Sequence, residues 1–355
     1  MSRADRVAAR LQERELDLLL VTGPHNLRYV TGFTGTNGIA VVGTGVRRLE
    51  TDFRYVERAR AEVDGFDLQQ APQDLRAALG EGWPPGPLRL GFDDADVSVR
   101  RHRELGEVLP ERVELVPAGG VVEAERAVKE PAELDAIRAA AALVDALYGA
   151  LAEQGLTGRT EHEVAVAAEA ELRRLGADGP SFPPIVAAAE NGALPHATPR
   201  DVAIPPNTLV TLDLGAKLDG YCSDCTRTWA TGALDDDLAA LHALVLEAQL
   251  AGLAAVRPGP EGREVDAVAR AIIEAAGHGE HFGHGLGHGV GLEVHEAPRL
   301  SRTVRGRLEA GNVVTVEPGV YVPGRGGVRI EDLVVVTADG CEVLSQTSKL
   351  PGVLA

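Results

Sequence analysis

Cysteine, aromatic residues and long apolar runs are all scarce in this chain of 355 residues. Three cysteines, an odd number, are too few for a disulfide framework and are typical of a reducing compartment. No apolar run approaches the roughly 20 residues that a membrane-spanning helix needs. The N-terminal stretch also lacks the apolar core and cleavage site of a signal peptide. We therefore expect a cytoplasmic protein that is not embedded in a membrane.

The chain also has fewer basic than acidic residues. Lysine and arginine together number 35 against 53 aspartates and glutamates, which gives a formal net charge of −18. Such a charge repels nucleic-acid phosphates and anionic membrane surfaces, so we expect no nucleic-acid partner. The surplus of carboxylates fits either a need for solubility or the binding of cations.

The length and an ordinary composition, 45% hydrophobic and 25% charged, predict two globular domains. Residues 1–122 alternate between predicted strands and helices, which is typical of an α/β domain, and contain no cluster of catalytic residues. A turn-forming stretch at 117–120 and a charged segment then precede a long helix, so the boundary is predicted near residues 120–127. Residues 123–355 are predicted to form an α+β domain with helices flanking an antiparallel sheet.

Local patterns predict the individual elements. In the first domain we expect helices near 3–15 and 53–63 and strands near 18–22, 38–42, 48–51 and 88–91. Pro131 suits the first turn of a helix to Gln154, and Thr160 with Glu163 has capping-box spacing for a helix to about 175. Residues 209–230 predict a β-hairpin that turns at 218–220. Helices near 236–256 and 261–276 and two strands, at 313–322 and 328–336, follow.

Four carboxylates lie in strongly apolar strand patterns. Asp213 and Asp224 lie on opposite arms of the predicted hairpin, and Glu317 and Glu331 lie in the two C-terminal strands. One such carboxylate is usually a surface residue on the polar face of a strand. Four of them in one cavity would repel one another and take up protons, so the set makes electrostatic sense only around divalent cations.

Histidine is concentrated in one segment. Five of the ten histidines lie between His278 and His295, interleaved with glycines that allow close approach of the backbone to a ligand. A single histidine there would more often be solvated, but this density indicates ligand binding. One imidazole with four carboxylates can hold two metal ions about 3.5–4 Å apart. A ligand set of four carboxylates and one imidazole is rich in oxygen and suits manganese, with cobalt or zinc as other occupants.

These motifs resemble those of the pita-bread metallopeptidases. The matching segments are L-D-L-G with Asp213, S-D-C-T-R-T with Asp224, G-H-G-V-G-L-E-V-H-E with His288, T-V-E-P-G with Glu317 and R-I-E-D with Glu331. Over essentially its whole length the chain resembles the Xaa-Pro peptidases, aminopeptidase P and prolidase. The resemblance implies a creatinase N-terminal-like α/β domain, with a role in oligomerisation and pocket closure, before a pita-bread α+β catalytic domain. It also implies two divalent metal ions per subunit held by those five ligands, a set that creatinases lack.

The resemblance implies further roles around the metals. His196 and His295 would line the substrate pocket and bind or polarise the scissile carbonyl, and Glu317 would accept a proton. His284 and Arg329 would belong to the same pocket. Arg299, four residues after His295, is a candidate receptor for a substrate carboxylate, because a guanidinium matches carboxylate geometry in two-pronged fashion. An exposed charge on a loop explains Arg299 equally well.

Hydrolysis of the peptide bond before proline is the function that this resemblance implies. An Xaa-Pro dipeptidase is slightly favoured over an Xaa-Pro aminopeptidase acting on longer peptides. A non-catalytic binding protein with the same fold is the alternative of another class, and the intact ligand set argues against it. Relatives are commonly dimers or tetramers, so a homodimer or homotetramer is expected.

Cys222 and Cys225 form a C-x-x-C motif, which in a cytosolic protein can mark a redox site. Strand alternation would point the two thiols to opposite faces, and no second C-x-x-C exists to complete a Cys₄ zinc site. We therefore expect no redox role.

Overall fold

The computed structural model describes residues 1–352 and divides the chain into two compact units, one comprising Met1–Arg126 and the other beginning at Ala127. The strands of the first unit are β1 (Leu18–Val21), β2 (Gly38–Gly43), β3 (Val46–Thr51), β4 (Asp67–Gln70), β5 (Leu88–Phe92) and β6 (Val113–Pro117). Its helices are α1 (Arg3–Glu13), α2 (Pro24–Thr31), α3 (Val56–Glu62), α4 (Val99–Val108) and α5 (Val121–Ala127), with a 3₁₀ helix at Leu75–Gly80. The sheet has the order β4-β3-β2-β1-β5-β6 and is mixed, because β1 runs antiparallel to β2 and parallel to β5.

The elements of this unit that sequence patterns predict are those with a buried apolar core. All four residues of β1 are buried, and α1 buries one face and carries a capping box from Ser2 and Asp5. The elements that the patterns miss are short or polar. Helix α4 buries Leu105 alone, and α2 is a short helix whose start is marked by Pro24 and whose end is marked by Gly32 at a φ of 81°.

The longer helices of the second unit are α6 (Pro131–Gln154), α7 (Glu161–Leu175), α8 (Asp236–Ala255) and α9 (Gly262–Ala275), and 3₁₀ helices lie at Ala189–Ala193 and Gly279–His281. Its strands are β7 (Gly179–Pro180), β8 (Ile185–Ala188), β9 (Leu209–Leu214), β10 (Ala216–Leu218), β11 (Tyr221–Cys222), β12 (Cys225–Ala230), β13 (Gly287–Gly289), β14 (Glu296–Leu300), β15 (Val313–Val316), β16 (Gly319–Val322), β17 (Gly326–Arg329), β18 (Asp332–Val336) and β19 (Cys341–Val343). They form sheets of order β11-β10-β7, β12-β9-β8, β14-β13-β15-β18-β19 and β16-β17.

The helices cover these antiparallel sheets. Helices α6 and α7 share a cluster of buried side chains with β9 and β12, to which Leu147 and Leu212 belong. Helices α8 and α9 share another with β15 and β18, to which Val245 and Val334 belong. The sheet of β9 and β12 and the sheet of β15 and β18 thereby pack against helices.

Helix α8 is apolar and long enough, by length and composition alone, to cross a membrane, which differs from the expectation that no segment is. Its apolar stretch is interrupted by His242, Glu247 and Gln249, which is why no continuous apolar run revealed it. Its residues Leu241, Val245 and Ala248 are buried against the core of the unit. A core helix of a globular domain passes the same test, so this helix alone does not indicate a membrane protein.

The two long C-terminal strands predicted at 313–322 and 328–336 are wrong as continuous elements. Each is broken into two strands, the first at Glu317 and Pro318 and the second at Ile330 and Glu331. Strand β15 pairs with β18, whereas β16 pairs with β17 in a separate sheet. Proline lacks the N–H that a continuing ladder needs, which contributes to the first break. Both breaks fall at residues predicted to bind metal.

Candidate metal centre

Interruptions in the strands position the predicted metal ligands. The hairpin prediction is confirmed, since β9 and β12 pair in a register that sets Asp213 opposite Thr226. Asp224 lies in the two-residue gap between β11 and β12. Glu317 directly follows β15, and Glu331 directly precedes β18. A carboxylate at such a gap is released from strict alternation and can turn toward a common point.

The five predicted ligands meet in the interior. Candidate ligand atoms of Asp224, His288 and Glu331 all lie within 4.8 Å of one another. The Nε2 atom of His288 is 3.2 Å from Oε1 of Glu317 and 3.7 Å from Oδ2 of Asp224. Asp213 lies in the same cavity.

Three carboxylate oxygens of this cluster are buried without a hydrogen-bond partner among the described residues: Oδ1 of Asp213, Oδ1 of Asp224 and Oε1 of Glu331. Buried carboxylate oxygens without partners are rare and costly, so each requires an explanation. A divalent cation bound by oxygen ligands supplies the missing partner and the missing positive charge. The residues present therefore fit a metal site.

Two other oxygens of the cluster accept hydrogen bonds from threonines. Thr226 donates from Oγ1 to Oε2 of Glu331 at 2.7 Å, and Thr315 donates from Oγ1 to Oε1 of Glu317 at 3.0 Å. Sequence reasoning missed both threonines. Because Thr226 lies opposite Asp213 in the hairpin, strand alternation would place its side chain on the same face as that aspartate. Nothing in the sequence distinguishes Thr315.

Burial and mutual repulsion perturb the acids of the cluster in different directions. The pKa values of Asp224 and Glu331 are raised well above the ordinary range, first by burial and then by the neighbouring carboxylates. Burial also acts to raise the pKa of Glu317, but the hydrogen bond from His288 and its positive charge outweigh it and lower that pKa to about 2. The carboxylate of Glu317 in turn raises the pKa of His288 against the effect of burial.

All ten side chains predicted for the site line one cavity of about 540 Å³. They are the five ligands with His196, His284, His295, Arg299 and Arg329. One wall of the cavity is apolar and is formed by Phe182, Pro183 and Pro184. The cavity therefore combines an apolar surface with a few convergent polar groups, the usual composition of a small-molecule site.

The histidines occupy distinct positions. The ring of His295 packs edge-on against that of His288, with centroids 4.2 Å apart, and His196 lies exposed at the same cavity. Burial, followed by the neighbouring His288, lowers the pKa of His295. The Nε2 atom of His284 is instead 2.9 Å from the hydroxyl of Tyr321, a lining residue that sequence reasoning missed. Burial also lowers the pKa of His284.

The two arginines differ in environment. Arg329 is buried and donates to Asp213, Tyr321, Thr226 and the carbonyl of Pro195. Arg299 is exposed, and it lies on strand β14 opposite His288 rather than on a loop. Its guanidinium is thereby available to a ligand in the cavity.

The cysteines of the C-x-x-C motif end β11 and begin β12, so the motif spans a gap instead of lying inside one strand as expected. Both thiols are buried and free. Burial raises the pKa of Cys222 to about 11 and that of Cys225 to about 12. A thiol that stays protonated at neutral pH is a poor nucleophile, which argues against a redox centre.

A buried cluster of carboxylates and imidazole in a peptide-sized cavity defines a metallohydrolase. The chain matches the model of Metallopeptidase family M24 over residues 135–338 and that of the Creatinase/Prolidase N-terminal domain over residues 3–128. It belongs to metallopeptidase family M24, and the expected fold, a creatinase-type N-terminal domain before a pita-bread catalytic domain, is confirmed.

Full-length relatives share this architecture. The chain is 40% identical to the Xaa-Pro dipeptidase of Pyrococcus furiosus, with 98% of each chain covered. Among solved structures, the Xaa-Pro dipeptidase from Bacillus anthracis is 37% identical with a TM-score of 0.94, and 99% of each chain is covered. The X-Pro aminopeptidase from Thermotoga maritima is 32% identical with a TM-score of 0.89, covering 99% of this chain and 100% of that chain.

Proposed function

We propose that the protein is a metal-dependent Xaa-Pro dipeptidase, a prolidase, which hydrolyses dipeptides with proline in the second position. Two divalent cations per subunit would be held by Asp213, Asp224, His288, Glu317 and Glu331. Manganese is our first choice because four carboxylates and one imidazole form a hard ligand set, with cobalt and zinc as other occupants. One observation carries the proposal: three buried carboxylate oxygens in the peptide-sized cavity have no hydrogen-bond partner in the part of the chain that the structure describes.

When bound, the cations held by these five residues would supply Lewis-acid chemistry for a carbonyl and a source of hydroxide near neutral pH. The side chains of the chain would perform the remaining tasks. The carboxylate of Glu317, which lines the cavity beside His288, would accept the proton of the attacking water. His295 and His196 would orient the carbonyl and stabilise its developing negative charge. Because the amide nitrogen of proline has no N–H, it must be protonated as the bond breaks, and the acid form of Glu317 can return that proton.

Metal content tests the catalytic class. We expect purified protein to bind divalent cations and to lose activity in a chelator, with activity restored by Mn²⁺, Co²⁺ or Zn²⁺. Asp224→Asn should abolish both metal binding and hydrolysis, while Asp237→Asn, an exposed matched control, should change neither. A protein that neither contains nor takes up any of these cations would instead favour the non-catalytic binding protein.

Substrate length separates the dipeptidase from the aminopeptidase. The aminopeptidase is the alternative because the chain is also similar to the X-Pro aminopeptidase from Thermotoga maritima. A dipeptidase must bind the carboxylate directly after proline, and Arg299 has an exposed guanidinium at the cavity for that task. We expect Ala-Pro to be cleaved faster than Ala-Pro-Ala. Arg299→Met should raise the KM for Ala-Pro by about tenfold or more, as the loss of a charged hydrogen bond would. Arg302→Met is the matched control, and faster tripeptide cleavage would reverse the assignment.

The proposal extends to assembly and location. We infer a homodimer or homotetramer in the cytoplasm, with the N-terminal domain taking part in assembly and in closing the pocket, as the resemblance to two-domain Xaa-Pro peptidases implies. Light scattering after size-exclusion chromatography gives the mass of the assembly. A monomer with full activity would contradict this part of the proposal.

A further inference from the structure

The imidazole of His295 is not held by a hydrogen bond or an ion pair from any side chain of residues 1–352. Its ring packs against the ring of His288. A histidine that must meet a carbonyl at a fixed angle is normally oriented by a second group. The orientation of His295 therefore depends on the backbone that carries it.

That backbone is organised around the next residue, Glu296. The carboxylate of Glu296 accepts at Oε2 from the backbone N–H of Glu293 at 3.4 Å, which closes the turn that contains His295. Gly291 leaves the space that the carboxylate fills, since a Cβ there would lie 2.4 Å from Oε1. The carbonyl of Gly291 also accepts from the backbone N–H of Cys222, two residues before Asp224.

The charge of Glu296 is met by Lys129. The Nζ atom of Lys129 is 2.6 Å from Oε1 of Glu296, and the two side chains are 1% and 6% exposed. The backbone of Lys129 is fixed in turn, because its N–H donates to the carbonyl of Gly311 at 2.9 Å. Asn312 donates from Nδ2 to the carbonyl of Ala127, just before β15 leads to Glu317. Lys129 thus links the turn of His295 to the strand that ends at a ligand.

The choice of lysine is informative, because the chain has only three lysines among 35 basic residues. A buried ion pair contributes little to stability compared with apolar side chains of similar volume, so its presence favours a positional role. We propose that Lys129 and Glu296 are positioning residues that hold His295 in its productive orientation. The proposal rests on the proposed function, in which His295 acts on the scissile carbonyl.

Three variants test the proposal. Glu296→Gln keeps the shape and one hydrogen-bond acceptor for Lys129, and Lys129→Met removes the charge at similar length. In each we expect kcat for Ala-Pro to fall by about tenfold to a hundredfold, as displacement of a reacting group would cause, with KM and bound metal nearly unchanged. Lys217→Met, at a lysine outside the site, is the matched control and should retain the activity of the wild type. Activities are referred to folded protein measured by circular dichroism.

A double-mutant cycle separates positioning from general destabilisation. If Lys129 acts through His295, Lys129→Met should have little further effect in a His295→Ala background. An undiminished effect there, or a kcat per folded molecule within twofold of the wild type in both single variants, would overturn the proposal. If the wild type fails to cleave Ala-Pro, the proposed function has failed. In that case the imidazole ¹⁵N resonances of His295 still report its orientation, and they should shift in Glu296→Gln but not in Lys217→Met. Resonances that do not shift in Glu296→Gln would contradict the proposal.

Discussion

Arg329 donates from Nη2 to Oδ2 of Asp213 at 2.7 Å, and this contact fixes the direction of the aspartate. With one oxygen held by the guanidinium, the other, Oδ1, has no hydrogen-bond partner among residues 1–352. The arginine also places a buried positive charge beside a cluster of carboxylates that would otherwise repel one another. Arg329 thus orients Asp213 and offsets part of the repulsion among the carboxylates of the cluster.

Replacing Arg329 by methionine should therefore harm the metal-free protein as well as catalysis. Removal of one partner from a buried ion pair costs about 3–5 kcal/mol, because the other charge is left uncompensated. We expect urea unfolding in the presence of a chelator to show a loss of that order. Arg325→Met, which breaks an exposed pair with Asp237, should cost less than about 1 kcal/mol. Equal stability of the two variants would contradict the role assigned to Arg329.

Metal binding should be coupled to proton release. The pKa values of Asp224 and Glu331 are raised by burial and by neighbouring carboxylates, so the metal-free site retains protons that a cation must displace. Metal affinity should accordingly increase with pH, and each binding event should release protons. Calorimetry in buffers of different ionisation enthalpy measures that release. Binding with no proton release and with a pH-independent affinity would show that the ligands are already ionised.

The sequence predicts the identity of the ligands better than the backbone that carries them. Asp213 and Asp224 could be paired in advance because a hairpin register follows from alternation and a turn. Glu317 and Glu331 stand out as acids in apolar runs, which indicate burial. An apolar run does not reveal which sheet each half of it joins, so the breaks beside these glutamates were missed.

Residues that act through other residues were also missed. Thr226, Tyr321 and Lys129 are identified by contacts between segments far apart in the chain, to Glu331, His284 and Glu296 respectively. A threonine or tyrosine in a strand is ordinary by composition, and only the tertiary structure shows what its hydroxyl meets. The sequence also does not predict short polar elements such as α4 and β4, because they bury too few apolar side chains to create a periodic pattern.

The thiols of Cys222 and Cys225 should be unreactive in the folded protein. Burial raises their pKa values to about 11 and about 12, so neither is a thiolate at neutral pH. A thiol reagent at about pH 8 should modify at most the half-buried Cys341 rapidly, and all three cysteines once the protein is denatured. Rapid modification of Cys222 or Cys225, or a disulfide between them in the purified protein, would restore the redox interpretation.

Asp93 in the first unit should make stability depend on pH independently of the metal centre. It is 4% exposed, and its Oδ2 accepts from the backbone N–H groups of Thr22 and Gly23, each at 3.2 Å. Burial, the largest cause, nonetheless raises its pKa from 3.8 to about 6, with Glu123 adding to the effect. The folded state therefore binds the proton more tightly than the unfolded state does.

The sign of the effect follows from that order of pKa values. Stability from the protonated Asp93 is fully present below about pH 4 and is lost as pH rises through about 6, a change of about 3 kcal/mol. Asp93→Asn keeps an oxygen that can accept hydrogen bonds from Thr22 and Gly23 but carries no charge. Its free energy of unfolding should therefore rise relative to that of the wild type over this pH interval, and the difference should stay constant at higher pH. Unfolding is followed through Trp83, the one tryptophan of residues 1–126, in a Trp229→Phe background. Asp64→Asn, at an exposed position, is the control. If the free energies of unfolding of Asp93→Asn and the wild type differed by the same amount at pH 4 and pH 7, Asp93 would be ionised throughout.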